Sequence, residues 1–346
     1  MRVLVTGAGG FIGGHLVKRL LDEGHSVAAT DLKNIEDWHQ VIDPRGELPI
    51  LNASGYDLKI QEEVEELLTS VTADGGAIEQ IFNLAADMGG MGFIANNKLD
   101  CMTSVLINTH LLLCTKSLGC ERYFFSSSAC VYPGYKQNDT DPNVLDRAMK
   151  DGLKESDAYP ADPEDGYGWE KLFSERMCRH YTEEEGLETR VARYHNVYGP
   201  YGTWDGGREK APAAICRKVA QAVIGNTNEI EVWGDGEQTR SFMYIDDCIE
   251  GTLRLMNLST AVNHSQPLNI GSDELVSINE LVNIVSHIAH HPVKIKYVEG
   301  PQGVRGRNSD NTLCREVLNW EPSIKLLDGL ERTYAWIYDE VLRSAL

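Results

Sequence analysis

The chain has 346 residues, enough for one large domain or two unequal ones, and its 52 Asp and Glu against 32 Lys and Arg leave a formal charge of −20. Such an acidic balance argues against a nucleic-acid partner, which needs clustered Lys and Arg, and leaves local basic islands at Arg208–Lys210, Arg217 with Lys218, Arg240, and Arg305 with Arg307 as candidates for a bound anion. Eight scattered cysteines without C-x-x-C spacing read as reduced thiols rather than a disulfide framework or metal site, and no apolar run reaches the ~20 residues that span a bilayer, so a cytoplasmic protein off the membrane is expected, with no signal peptide ahead of the first strand.

Residues 3–5 read as a short apolar strand. Gly7, Gly10 and Gly13 follow with G-x-x-G-x-x-G spacing around Phe11 and Ile12, and 13–23 continues with helical periodicity. Glycines there let the backbone approach a pyrophosphate, and the helix N-terminus offers it free N–H groups. Residues 26–30 form a second strand ending in Asp31, 18 residues after Gly13, where a carboxylate can bond the adenosine ribose and would repel a 2′-phosphate. NAD is therefore expected over NADP, with Lys33 the nearby cation that argues the other way. A turn at 56–58 opens a helix through 68, in which Asp57, beside Leu58, either reaches the adenine amine or caps the helix. Residues 80–85 read as a strand that runs through Leu84, Ala85 and Ala86 into a glycine-rich segment, where it meets the cofactor.

A helix over 108–118 and a strand over 123–128 follow, and 134–155 reads as a polar excursion with a short helix. The helix over 167–185 opens with Y-G-W-E-K, which sets Tyr167 and Lys171 one turn apart on one face. An ammonium there, together with the cofactor's positive ring, favours the phenolate and draws a tyrosine pKa of ~10 toward neutrality, so Tyr167 can take a proton from a sugar hydroxyl as hydride leaves the same carbon. Strand 187–194 comes next, then turn residues at 195–200, a glycine-rich loop, a helix at 213–224, strands at 230–233 and 241–245, and a helix at 246–256. N-I-G-S at 269–272 precedes a helix at 277–289 and a strand at 293–298, and Trp320, Tyr334, Trp336 and Tyr338 read as packing aromatics.

This alternation predicts an α/β fold: a Rossmann-type doubly wound parallel sheet with a smaller α/β substrate-binding domain. The division expected is an NAD-binding domain at 1–193 with segments returning near 241–272, a substrate-binding domain from 194–240 and 273–322, and a helical segment at 323–346.

T-G-A-G-G-F-I-G, Asp31, N-L-A-A, S-S-A-C-V-Y-P, Y-G-W-E-K, N-V-Y-G-P and N-I-G-S stand in the order seen in extended short-chain dehydrogenases acting on nucleotide sugars. Within that superfamily the chain resembles the GDP-mannose 3,5-epimerases almost from end to end, notably in A-A-D-M-G-G-M-G-F-I, G-T-W-D-G-G-R-E-K-A-P-A-A, E-V-W-G-D-G-E-Q-T-R-S-F and G-V-R-G-R-N-S-D-N. The resemblance implies transient NAD-dependent oxidation at carbon 4, inversion at carbons 5 and 3, and re-reduction, giving GDP-L-galactose, GDP-L-gulose or both. Tyr167 would take the hydroxyl proton, Lys171 would lower its pKa and hold the nicotinamide ribose, and Ser128 would bond the same oxygen.

The ketone acidifies both neighbouring carbons, and Cys130 stands where related 4,6-dehydratases carry a carboxylate and 4-epimerases a threonine. Cys130 and Lys210 would then supply a base and an acid on opposite faces. The competing readings are a small buried hydrophobe for Cys130 and a phosphate contact or loop charge for Lys210. Arg305 or Arg307, with Lys218 and Arg240, would neutralise a diphosphate. Gly89, Met91, Gly92, Ala129, Asn196, Glu209 and Ala211 would surround the hexose, and Gly234, Asp235 and Gly236 lie where the resemblance places the base. A GDP-hexose substrate and a homodimer through the helices at 108–118 and 167–185 are also implied. Two departures stand out: the 138–152 segment is longer than the family's, and Trp169 replaces a smaller apolar residue.

Two other classes compete. A 4-epimerase or 4,6-dehydratase on another nucleotide hexose shares Tyr167 and Lys171 but does not need Cys130 paired with Lys210. A 4-epimerase, returning its own hydride, takes no label from heavy water. A non-catalytic NAD-binding regulator keeps the fold, but intact Ser128, Tyr167 and Lys171 argue against it.

Overall fold

A computed structural model describes residues 1–38, 40, 50–52, 55–73, 76–138, 149–163, 165–259 and 266–345. Its centre is a seven-stranded parallel sheet in the order Leu268–Ile270, Glu188–Tyr194, Arg122–Ser128, Gln80–Asn83, Arg2–Thr6, Ser26–Thr30, Ile50–Asn52. The order reverses between the Arg2–Thr6 and Gln80–Asn83 strands, the switch point outside whose carboxyl ends doubly wound sheets bind their ligands. Val3 and Val5 pack under one face with Leu16, Val17 and Leu20, while Leu4 and Ile81 pack under the other with Val64, Leu67 and Leu111. Alternate residues of one strand thus feed two cores, and the first strand reads as unbroken apolar sequence because helices cover both faces.

Beyond the sheet, Val197–Tyr198 pairs in parallel with Met243–Tyr244, Glu229–Trp233 with Lys294–Val298, and Thr239–Ser241 lies between Leu275–Ser277 and Gly306–Arg307. The helix Ile245–Met256 returns to pack beside Phe11–Asp22, and the C-terminal helix Leu326–Ala345 packs on Ala211–Ile224. The apolar core beneath the first face continues into this smaller region, where Val5 and Leu16 share one cluster with Ile215, Val219, Leu281 and Ile337.

Several element boundaries differ from the sequence reading. The helix expected from 56–58 begins at Gln61. Asp57 instead closes a turn, its Oδ1 accepting from the Lys59 N–H at 3.0 Å and its carbonyl from the Ile60 N–H at 2.9 Å. The helix expected at 108–118 starts at Val105 and follows two short helices, Met91–Asn96 and Lys98–Thr103, in the stretch read only as glycine-rich. The strand expected at 241–245 is two, Thr239–Ser241 and Met243–Tyr244, and N-I-G-S supplies the seventh strand of the sheet. Most of the 138–152 segment, residues 139–148, lies outside the described residues. All eight cysteines are free, and no described helix is long and apolar enough to cross a membrane.

Candidate active site

At the switch point the first strand turns into the Phe11–Asp22 helix over Gly7, which has φ +69°. Gly10 N–H donates to the Gly7 carbonyl at 3.0 Å, and a Cβ on Gly13 would lie 2.0 Å from that same oxygen, so the turn closes only with glycine there. Leu84 and Ala85 lie against Gly7, with the Leu84 N–H on the Thr6 carbonyl at 3.3 Å, and Ala86 follows them. The first helical turn carries no acidic residue, which leaves its positive end to an anion. Phe11 packs its ring edge-on to His15, and Ile12 packs against the core.

Asp31 points back at the glycine turn: its Oδ2 accepts from the Gly9 N–H and its Oδ1 from the Lys33 N–H, both at 3.0 Å. Each carboxylate oxygen keeps lone pairs for ribose hydroxyls, and Lys33 meets Asp31 through its backbone rather than its ammonium. These residues fit a dinucleotide. Asp57 is tied into its turn, and Leu58 is buried with its carbonyl 3.2 Å from His110 Nδ1.

The helix Gly166–Glu185 begins where Asp165 caps it, its Oδ1 accepting from the Gly168 N–H at 2.9 Å. A Cβ on Gly168 would sit 2.2 Å from the Cys130 carbonyl oxygen, so glycine lets this helix touch the segment after the Arg122–Ser128 strand. Ser128 in turn caps the short 3₁₀ turn Ala129–Val131, its Oγ accepting from the Cys130 N–H at 3.2 Å. These contacts bring Tyr167, Lys171, Ser128 and Cys130 together. Lys171 Nζ lies 5.6 Å from the centre of the Tyr167 ring and 4.7 Å from that of Phe125.

The chain's own groups around Tyr167 weigh against its ionisation. Burial pushes the phenol well above its ordinary value, negative charge on Cys130 and Glu170 adds to the shift, and the Ser128 hydrogen bond opposes it. Lys171 is engaged instead with the buried Glu170 carboxylate, at 3.6 Å.

A cavity of about 260 Å³ opens beside Tyr167 and collects most of the predicted substrate residues: Gly89, Met91, Gly92, Ser128, Ala129, Cys130, Asn196, Glu209, Lys210, Ala211, Lys218, Arg240 and Arg307. Gly90 N–H donates to the Arg208 carbonyl at 2.9 Å, which clamps the glycine turn on the loop that carries Glu209 and Lys210. Lys210 stands at the N-cap of the Ala211–Ile224 helix, with Pro212 in the first turn fixing the loop's exit. Burial holds its ammonium below the ordinary lysine range, while the neighbouring Cys130 pulls the other way.

Other candidates are committed elsewhere. Asn196, at φ +44°, donates from Nδ2 to the Ser241 carbonyl, Glu209 binds Arg217 at 2.8 Å, and Lys218 donates to the Glu231 carbonyl. Arg240 donates to the Val304 and Gln302 carbonyls and so shapes the loop over the cavity.

Of Arg305 and Arg307, both offered for a diphosphate alongside Arg240, the structure brings one to the cavity. Arg307 is buried, donates from Nε to Gln137 Oε1 at 2.6 Å, and holds Nη1 3.4 Å from Cys130 Sγ. Arg305 pairs with Asp235 on the surface at 2.8 Å, and neither it nor Gly234, Asp235 or Gly236 lines the cavity. The two glycines turn against Gln302 and Asn279. Trp233, Gln238, Phe242, Gln302 and Val304, which the sequence reading passed over, do line it. Their signal was the pair of glycine-bounded segments at 234–236 and 300–303, whose turns bring chain over the sheet's end.

The family model for the NAD dependent epimerase/dehydratase family matches residues 3–271. The chain belongs to that family. Among its relatives, GDP-mannose 3,5-epimerase 1 of Oryza sativa subsp. indica is 46% identical over 342 residues, 99% of this chain and 82% of that protein. GDP-mannose 3,5-epimerase of Arabidopsis thaliana is 45% identical over 342 residues, 99% and 83%. A more distant member, UDP-glucuronic acid decarboxylase 6 of Arabidopsis thaliana, is 31% identical over 338 residues, 95% and 87%. The solved UDP-glucose 4-epimerase of Thermotoga maritima superposes with a TM-score of 0.81 at 25% identity, covering 99% of this chain and all of that one. In this epimerase/dehydratase family the cofactor is NAD, which the glycine turn with Asp31 fits.

Proposed function

We propose that this chain is a GDP-mannose 3,5-epimerase that inverts carbons 5 and 3 through a carbon 4 ketone. The observation that carries the reading is that a thiol and an amine, Cys130 and Lys210, line one cavity with Tyr167, where a 4-epimerase needs neither. Near 46% identity to GDP-mannose 3,5-epimerases over almost the whole chain supports the same substrate.

NAD, held at the glycine turn, supplies the acceptor and later the donor of the carbon 4 hydride. Tyr167 takes the carbon 4 hydroxyl proton, Ser128 hydrogen-bonds the same oxygen, and Lys171 supplies positive charge beneath them. With the ketone formed, Cys130 removes a proton from the adjacent carbon and Lys210 delivers one from the other face. Arg307, donating to the sulfur, is placed to balance negative charge as it develops there. Tyr167 finally returns its proton to the carbon 4 oxygen, so net oxidation is nil.

The acting form is a homodimer through the Val105–Leu118 and Gly166–Glu185 helices, a reading supported by the outward apolar residues Leu106, Leu113, Trp169 and Phe173 on them.

Incubation with GDP-mannose and NAD in heavy water tests the chemistry by NMR. Deuterium at carbons 3 and 5 of L-configured products is expected. Products without label, or inversion at carbon 4 alone, would sink the reading in favour of a 4-epimerase.

A further inference from the structure

Arg307 is 6% exposed and enters no ion pair with any described residue. A buried guanidinium without a carboxylate is costly unless its charge serves a group that becomes anionic beside it. Its contacts are two neutral acceptors: Nε donates to Gln137 Oε1 at 2.6 Å, and Nη1 lies 3.4 Å from Cys130 Sγ. Of the two, only the sulfur can ionise.

Gln137 is the residue that aims the guanidinium. It is fully buried at the end of the 3₁₀ turn Gly134–Lys136, a few residues past Cys130. Its Nε2 donates to the Tyr132 and Pro133 carbonyls at 2.9 and 3.3 Å, which leaves its oxygen as the end that faces Arg307. Its own carbonyl accepts from the Gly306 N–H at 2.9 Å, and Asn138 Oδ1 accepts from the Arg305 N–H at 2.8 Å, so the short strand carrying Arg307 is tied to the same turn. A guanidinium is planar, and fixing Nε fixes the plane in which Nη1 meets the sulfur. An amide does this without charge; a carboxylate at 137 would match the arginine before the sulfur could.

The other ionisable groups facing Cys130 are Tyr167 from the Gly166–Glu185 helix and Lys210 from the loop before Ala211–Ile224. The carboxylates that line the cavity, Glu209 and Glu231, are held at 2.8 Å by Arg217 and Lys296. No described carboxylate therefore competes with the sulfur for Arg307.

We propose that Gln137 is a positioning residue for the inversion steps, holding the uncompensated Arg307 cation against Cys130 so that a thiolate is ready before substrate arrives. The inference rests on the reading of Cys130 as the base. In that step the thiolate takes the proton from the carbon beside the ketone, the C–H electron pair passes to the ketone oxygen as an enolate, and the sulfur becomes neutral. Gln137 touches none of these atoms and acts through Arg307 alone.

The test reads the thiolate without substrate. Cys130 lines the cavity, so its alkylation by iodoacetamide at one fixed pH can be followed by mass spectrometry of its peptide. Gln137→Glu sets a carboxylate against Arg307, and the Cys130 rate should fall roughly tenfold. Gln137→Met fills the space but leaves Nε without its acceptor; the rate should fall about threefold, and this variant serves if Gln137→Glu does not fold. In both, reduction of bound NAD+ on mixing with GDP-mannose should stay within a few-fold of wild type, while deuterium uptake falls in step with alkylation. An unchanged alkylation rate in the folded variants overturns the inference and leaves Gln137 a structural residue. A raised KM for GDP-mannose with deuterium uptake unchanged at saturation also overturns it, since Arg307 would then serve the diphosphate. Because alkylation needs no substrate, a slowed rate in a chain that does not turn over GDP-mannose would sink the proposed function and leave the hold of Gln137 and Arg307 on the sulfur standing.

Discussion

Replacing Arg193 by methionine should cost about 3–5 kcal/mol of folding stability, the range for removing one partner of a buried ion pair. Its guanidinium is buried behind the Glu188–Tyr194 strand and donates from Nε and Nη2 to the two oxygens of Glu175, at 2.8 and 2.7 Å. It also donates from Nη1 to the Glu155 carbonyl at 2.8 Å and to Tyr132 Oη at 3.4 Å. Methionine fills the aliphatic volume but leaves Glu175, itself buried, with the Ser127 hydroxyl at 2.5 Å as its remaining donor.

Urea unfolding of wild type, Arg193→Met, Glu175→Gln and the double variant closes the cycle. The double variant should be more stable than Arg193→Met by at least ~1 kcal/mol, because no buried charge is left alone. A loss below ~1 kcal/mol in Arg193→Met, or additive losses in the double variant, would refute the reasoning. Since Ser127 precedes Ser128 and Glu175 lies on the helix of Tyr167, the destabilised variants should also lose turnover before they unfold.

Three further outcomes are expected. Gly168→Ala places a Cβ 2.2 Å from the Cys130 carbonyl and must push Tyr167 away from Ser128, so kcat should fall about 100-fold while NAD affinity, measured by calorimetry, stays within a few-fold. Cys130→Ala should retain reduction of bound NAD+ on mixing with GDP-mannose, seen by absorbance, but lose roughly 10²–10⁴-fold in deuterium uptake. His195 is buried with its Nε2 3.1 Å from Asn269 Oδ1, and burial holds its pKa down at about 3. The unfolded chain therefore takes up a proton that the folded chain refuses, and stability falls as pH drops from about 6.5 toward 3. His195→Gln should flatten that part of the urea-midpoint profile; an unflattened profile would place the acid sensitivity elsewhere.

Local, strongly patterned features were legible in the sequence. Strand, glycine turn and helix at the N-terminus, Asp31 after the second strand, and Tyr167 one turn before Lys171 depend on neighbours a few residues away, where period and glycine spacing carry the information. The seventh strand was not visible as such, because Leu268–Ile270 has only three residues and owes its identity to pairing with residues 76 positions earlier, Leu268 with Ala192.

What tertiary structure alone decided is where charges stand relative to one another. Sequence put Arg305 and Arg307 two residues apart and on equal footing; pairing of the Gly306–Arg307 strand with Thr239–Ser241 sends one to Asp235 at the surface and the other to Cys130. It also put an ammonium beside Tyr167, and folding buries the ring and sets Glu170 against Lys171. The difference is physical: helical spacing fixes which side chains are neighbours, but ionisation depends on desolvation and on every charge within several ångströms, most of which arrive from distant parts of the chain.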